Sequence, residues 1–176
     1  MSEASTFEAL ILPCLDSAYN LARWLLNDDA AAEDVVQEAS LRAFRYFHAL
    51  RGHAARPWFL GIVRNTCFTY LEQRKGRLEQ LGLEPEELES QQWKDGHSGP
   101  DPVVFLEQGR EREAIDTAIR TLSPALREVF ILRELEGLDY AEIAQLAAIP
   151  MGTVMSRLSR ARAQMKASIV SSGIRE

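Results

Sequence analysis

Apolar residues recur at three- and four-residue steps along most of the chain, the spacing that lays a single stripe on an α-helix. Phe7, Leu10, Ile11, Leu15, Ala18, Leu21, Ala22 and Leu25 form the first stripe. It predicts one long helix that ends at Asn27, Asp28 and Asp29, with Asp29 as the N-cap of the next. A second helix is predicted over 30–47, with Val35, Val36, Ala39, Phe44 and Phe47 as its apolar positions. Glu33 and Asp34 are expected in its first turn, where the helix dipole favours negative charge. Residues 48–56 interrupt the pattern as a loop with Gly52 and the basic groups Arg51, His53 and Arg56. Pro57 suits a first helical turn. The third helix then runs through Trp58, Leu60, Ile62, Val63, Cys67 and Leu71 to about Arg74.

The periodicity fades beyond Lys75. Up to Val103 the basic residues are Lys75, Arg77 and Lys94, against the acidic residues Glu79, Glu84, Glu86, Glu87, Glu89, Asp95 and Asp101, with Pro85, Gly96, Gly99, Pro100 and Pro102 as breakers. This composition predicts an acidic, partly extended, flexible linker over 75–103, with room for a short helical turn around 86–93. Helical order resumes over 105–122. Ser123 and Pro124 then supply an N-cap followed by proline at the first helical position. That helix is expected to pass through Val129, Phe130, Leu132 and Leu135 to a C-cap at Gly137. Asp139 and Glu142 have the spacing of a capping box. Ile149 and Pro150 separate this helix from the last, which extends to about Val170. The fold class is therefore all-α, with two small helical domains at 1–74 and 104–176.

The composition narrows the function. The 176 residues are 46% hydrophobic and carry a net charge of −6. A core can form, and a nonspecific coat for nucleic acid is disfavoured. The N-terminus lacks the basic and apolar regions of a signal peptide, and no apolar run approaches the ~20 residues of a membrane span, so a cytoplasmic protein without membrane insertion is expected. Cys14 and Cys67 are far apart and read as reduced core thiols. His48, His53 and His97 have no matching carboxylate or cysteine spacing, and no phosphate-cradling glycine loop is present. No cofactor, metal or catalytic group is expected.

One segment stands apart. Residues 139–166, DYAEIAQLAAIPMGTVMSRLSRARAQMK, have the outline of two helices joined by a tight turn, a helix-turn-helix that can place its second helix in the major groove of DNA. On that second helix Val154, Leu158, Ala161 and Met165 form the stripe to be buried, packing on Ile143, Ala147 and Ile149. Met155, Ser156, Arg157, Ser159 and Arg160 are then left facing outward near the helix N-terminus. Arginine can bind guanine through two hydrogen bonds, and serine can contact base edges or phosphate. Arg162 and Lys166 are placed for phosphates. From Pro150 to Ile174 the charged residues are Arg157, Arg160, Arg162 and Lys166, with no acidic residue among them. That one-sidedness in an acidic chain favours DNA over a merely solvated face.

Three segments in order, DDAAAEDVVQEASLRAFRYF (28–47), RPWFLGIVRNTCFTYL (56–71) and LSPALREVFILRELEGLDYAEIAQLAAIPMGTVMSRLSRARAQMK (122–166), carry a resemblance over nearly the whole chain. It resembles the extracytoplasmic-function group of bacterial sigma factors, the two-domain subunits that let RNA polymerase find promoters. The resemblance implies that Asp34, Gln37 and Glu38 bind the clamp helices of the polymerase's largest subunit. It implies that the 48–56 loop and the helix after it melt and read the minus-10 region through Arg51, Arg56, Trp58, Arg64 and Asn65, with a base flipped into a pocket there. Trp58 serves equally well as a core residue. The last helix becomes the minus-35 reader, with Met155, Ser156, Arg157, Ser159, Arg160, Arg162 and Lys166 toward DNA. The chain departs from the family pattern twice: Ala148 stands where the turn usually has glycine, which predicts strain, and Met155 stands where a basic residue is common, which predicts a different promoter preference. Control by an anti-sigma factor partner is also implied. The runner-up is a stand-alone helix-turn-helix regulator, which would need a receiver or ligand-binding domain that the N-terminal half does not suggest.

Overall fold

The computed structural model describes residues 3–50, 52, 54–82 and 106–173, and no strand is present among them. The chain divides into two compact units, Met1–Gly96 and His97–Glu176. The stretch 83–105, with the helical turn expected at 86–93, lies outside the described residues, as do Arg51 and His53.

In the first unit the single long N-terminal helix is corrected to two. Helix α1 (Glu3–Ile11) passes through a 3-10 turn (Leu12–Cys14) into α2 (Leu15–Leu26). Pro13 sits in that turn; it has no amide hydrogen to continue the helical ladder and its ring crowds the preceding carbonyl. The break also shifts the stripe, leaving Leu10 41% exposed while Leu26 is buried. Asn27 ends α2 in the left-handed conformation (φ 54°), its amide donating to the Arg23 carbonyl at 2.9 Å. The next N-cap is Asp28, not Asp29: its backbone is extended and its carboxylate accepts from the Ala31 amide at 2.9 Å. Helix α3 therefore spans Asp29–Arg45, one residue earlier than expected, which puts Glu33 and Asp34 in its second turn. A 3-10 turn (Phe47–Leu50) follows, and α4 runs over Ala55–Gln80, past the end expected at Arg74.

Helices α2, α3 and α4 pack on one another. Their core includes Leu21, Ala22, Ala32, Val35, Ala39, Phe59, Leu60 and Val63, each at most 2% exposed. Small residues at 32, 39 and 43 let α3 approach its neighbours closely. Phe44 is 52% exposed and belongs to a surface aromatic cluster, its ring 5.1 Å edge-on from Phe7, which also meets Phe47 at 5.3 Å. Neither cysteine forms a disulfide, and both are buried. Burial pushes the Cys14 thiol above its ordinary value, against a smaller opposing pull from Arg56; the thiol donates to the Leu10 carbonyl at 3.3 Å.

The second unit consists of α5 (Leu106–Thr121), α6 (Pro124–Phe130), a π turn (Ile131–Leu135), α7 (Tyr140–Ala147) and α8 (Met151–Ser171). Ser123 takes the N-cap place of α6 without a side-chain cap; its carbonyl accepts from the Arg127 amide at 2.8 Å. Arg127 instead closes the end of α5, donating to the carbonyls of Ile119 (3.3 Å), Arg120 (2.7 Å) and Leu122 (3.0 Å). A cation is favoured there by the negative end of the helix dipole. The helix expected to continue to Gly137 widens instead into the π turn, in which the Glu136 amide reaches back five residues to the Ile131 carbonyl at 3.0 Å. The extra residue in the turn rotates the face: Leu135 is 46% exposed and Leu138 is buried. Gly137 stops the segment at φ 68°.

The capping box is present, with the Asp139 carboxylate accepting from the Glu142 amide at 2.8 Å and the Glu142 carboxylate from the Asp139 amide at 2.9 Å. Ala148 ends α7 at φ 54°, ψ 45°. The Ile149 amide donates to the Ala144 carbonyl (3.0 Å) and the Ala148 amide to the Gln145 carbonyl (3.3 Å), the two bonds of a Schellman motif whose left-handed position normally holds glycine. An alanine there costs about 1 kcal/mol. Ala148→Gly is therefore expected to raise the stability of the second unit by about 0.5–1 kcal/mol, read as a higher urea midpoint at unchanged slope; a lower midpoint would refute the strain.

Candidate functional site

Helix α3 presents Asp34, Gln37 and Glu38 together, all exposed, with buried Ala32, Ala39 and Ala43 on the opposite side. The i, i+3, i+4 spacing makes them one face. Glu38 is ion-paired with Arg42 one turn on, whereas Asp34 and Gln37 have no such pairing among the described residues. Leu41, 65% exposed, extends this face, a position that the apolar periodicity of the helix does not single out. Its spacing of four from Gln37 and three from Glu38 is the signal that could have found it.

Helix α4 separates the residues expected to work together. Trp58 and Asn65, seven apart, share a face; Trp58 is half-buried and Asn65 exposed. Arg64 lies beside them, its guanidinium over the Phe68 ring at 4.5 Å and its Nη1 donating to the Asn65 side-chain oxygen at 3.3 Å. Arg56 belongs to another side. It precedes Leu60, Val63 and Cys67 by four, seven and eleven residues, so it shares the face that turns to the core. From there its Nε and Nη2 donate to the Ser17 hydroxyl on α2 at 3.2 and 3.1 Å. Arg51 lies outside the described residues.

Helix α8 buries Val154, Leu158, Ala161 and Met165, as the periodicity required. Its outward side carries Ser156, Ser159, Arg160 and Lys166, all exposed, with Arg157 half-buried on one flank. Arg160 lies back along its own helix toward the Ser156 carbonyl, a long contact of 3.5 Å, and its two Nη groups are unengaged among the described residues. Met151 and Met155 occupy the other flank at the N-terminal end, 46% and 50% exposed. Arg162 lies further along that flank, where its Nε and Nη2 donate to the Glu134 carboxylate at 2.8 and 2.6 Å. Hydrogen bonds to Glu134, and then to Tyr140, hold this guanidinium protonated above its ordinary value. Glu134 stands 28 residues before Arg162, and no spacing in the sequence announces the pair. Arg162 is thus tied to its own fold rather than held out singly for phosphate. With Arg162 48% exposed, the pair is worth about 0–1 kcal/mol.

The described helices include none long and apolar enough to cross a membrane. Family models match both units in order: Sigma-70 region 2 over residues 10–77 and Sigma-70, region 4 over residues 112–165. The ECF RNA polymerase sigma-E factor of Escherichia coli is 37% identical over 133 residues, 73% of this chain and 69% of that protein. The ECF RNA polymerase sigma factor SigE of Mycolicibacterium smegmatis is 29% identical over 161 residues, 92% of this chain but 60% of that protein. Among solved structures, the sigma factor RpoE in complex with the anti-sigma factor NepR from Bartonella quintana shares the fold with a TM-score of 0.68 at 24% identity, covering 93% of this chain and 96% of that one. CnrH in complex with the cytosolic domain of CnrY gives a TM-score of 0.61 at 20% identity, covering 96% and 90%. Two region models in chain order, and a relative at 37% identity matched over more than two thirds of its length, place the chain: it belongs to the extracytoplasmic-function group of the sigma-70 family of sigma factors.

Proposed function

We propose that this protein directs the RNA polymerase core enzyme to specific promoters and supports initiation, without catalysis of its own, in the cytoplasm. The observation that carries the reading is the presence in one chain of an exposed acidic and polar face on α3 and a basic-faced helix-turn-helix on α7 and α8. In this reading residues 1–74 bind the polymerase and the minus-10 region, 75–103 link, and 104–176 bind the minus-35 element. Asp34, Gln37 and Glu38 meet the clamp helices of the largest subunit. Trp58, Arg64 and Asn65 supply a stacking surface, a cation for the backbone and an amide for a flipped base edge. Arg51 is assigned to that same minus-10 contact. Arg56 serves it by bracing α4 against α2 through Ser17. Ser156, Ser159 and Arg160 enter the major groove, with Arg157 and Lys166 toward phosphates, while Arg162 braces α8 through Glu134.

An anti-sigma factor is the expected regulator, as for the sigma factor RpoE, solved in complex with the anti-sigma factor NepR. The stand-alone regulator is not favoured: a first unit that matches region 2 has no place in it. The test is transcription by purified core polymerase on a promoter library, with and without the protein; no promoter-specific initiation would sink the reading. Arg160→Ala is expected to weaken minus-35-dependent initiation by about 1–3 kcal/mol, the worth of a bidentate base contact. An unchanged promoter preference would remove Arg160 from base reading.

A further inference from the structure

Met151 and Met155 are an exposed thioether pair one helical turn apart at the N-terminal end of α8. The helix has no structural use for them there, because its buried stripe is complete in Val154, Leu158, Ala161 and Met165. Around them α8 carries two hydroxyls and a guanidinium at Ser156, Ser159 and Arg160; further along their own flank Arg162 neutralises Glu134 of the π turn, and α8 itself adds no acidic residue between Pro150 and Ile174. Such surroundings suit a polyanion rather than an apolar protein surface. A thioether donates no hydrogen bond and accepts only weakly, so it cannot read the polar edges of bases. The apolar group that the major groove displays is the C5 methyl of thymine.

We propose that Met155, flanked by Met151, reads the 5-methyl group of a thymine in the upstream promoter element and so sets a base preference of this chain. The inference rests on the second unit being the minus-35 reader. It adds a specificity residue to that site and names the group it recognises. Methionine suits this role because it is flexible and polarizable, and it can fold over a methyl without a fixed approach angle. Contact would also dry the pair, 46% and 50% exposed, and removing apolar surface from solvent adds to the preference.

The test uses polymerase loaded with the full chain. Promoters are first selected from a randomised library. In the selected sequence each thymine of the upstream element, on either strand, is then replaced singly by deoxyuridine, which deletes the methyl and nothing else. One replacement is expected to lower competitive promoter binding about 3- to 10-fold with the native chain. In Met155→Ala and Met155→Gln, both exposed changes that leave the core intact, that loss should vanish while dependence on Arg160 persists. The inference is overturned if no thymine in the element matters, if no thymine is selected there, if the methyl effect survives in both Met155 variants, or if it is abolished only by Met151→Ala. Failure to initiate from any promoter would overturn the sigma reading and this inference with it. Promoter-specific initiation without methyl dependence would overturn this inference alone.

Discussion

Leu158→Ala is expected to lower the stability of the second unit by about 2–5 kcal/mol and with it to abolish promoter selection through the upstream element. Leu158 is 1% exposed and lies at the middle of the α8 stripe, between Val154 and Ala161. Truncation removes the terminal isopropyl group from the place where α8 packs on α5, α6 and α7. The loss has two parts: the transfer free energy of the missing atoms, and the contacts forfeited around the cavity they leave. A unit of this size commonly has only about 5–10 kcal/mol in all, so the variant should populate unfolded helix-turn-helix at growth temperature. Urea unfolding followed by circular dichroism should show a lower midpoint for one transition. Leu158→Met, which nearly conserves volume, should cost less than about 1.5 kcal/mol and retain promoter selection. Binding to core polymerase through α3 should survive in both variants, since that face belongs to the other unit. A Leu158→Ala protein with native stability would mean that α8 is not anchored by this stripe.

The reason such a prediction could be made from sequence, and others could not, lies in the range of the interactions involved. The α8 stripe was legible because burial at 154, 158, 161 and 165 obeys a local period. The capping box at Asp139 and Glu142 was legible because both partners sit three residues apart. Ala148 was readable as strained only through the resemblance, in which glycine usually holds that place of the turn; the left-handed backbone of a Schellman motif is the physical reason. Pro13 was a readable signal that a long apolar stripe overrode: the apolar spacing runs on through the sequence, but proline has no amide to continue the helical ladder. Asp28 and Asp29 are adjacent and equally able to cap, and the choice between them depends on where the left-handed Asn27 turns the chain. The π turn changed the register of Leu135 and Leu138 without any proline or glycine inside it, and we have no physical account of why it forms at Ile131.

The site residues divide in the same way. Exposure of Asp34, Gln37 and Glu38 follows from the period of α3. The diversion of Arg56 to Ser17, 39 residues earlier, and of Arg162 to Glu134, 28 residues earlier, comes from tertiary packing that no spacing reports. Both diversions fall on arginines. A long side chain with five donors finds a neighbouring acceptor within its own unit when one is in reach. A basic residue on a DNA-facing helix is therefore weaker grounds for a phosphate contact than its charge suggests, and Arg160, with its Nη groups unengaged among the described residues, is the better candidate for a base.

The double substitution Asp34→Ala with Gln37→Ala should weaken binding to core polymerase by at least about 2 kcal/mol, roughly 30-fold, with the helical fold retained. Both side chains are exposed on α3, and the core on its opposite side is supplied by Ala32, Ala39 and Ala43, which the substitutions do not touch. Surface changes of this kind usually alter stability by no more than about 0.5 kcal/mol, so circular dichroism and the unfolding midpoint should match the native chain. The loss in a competition pull-down should be larger than for Glu38→Ala. Glu38 already shares its carboxylate with Arg42, and part of any gain from meeting a basic partner is offset by giving up that pair. Asp34 has no such pair to give up among the described residues, so its full charge is available to the interface, and Gln37 can donate and accept at once. Leu41, at the end of the same face and 65% exposed, gives the patch an apolar edge that association can dry, while the carboxylate and amide set orientation. Unchanged competition by the double variant would move the polymerase contact off this face of α3. A loss accompanied by a lowered unfolding midpoint would instead assign these residues to the fold.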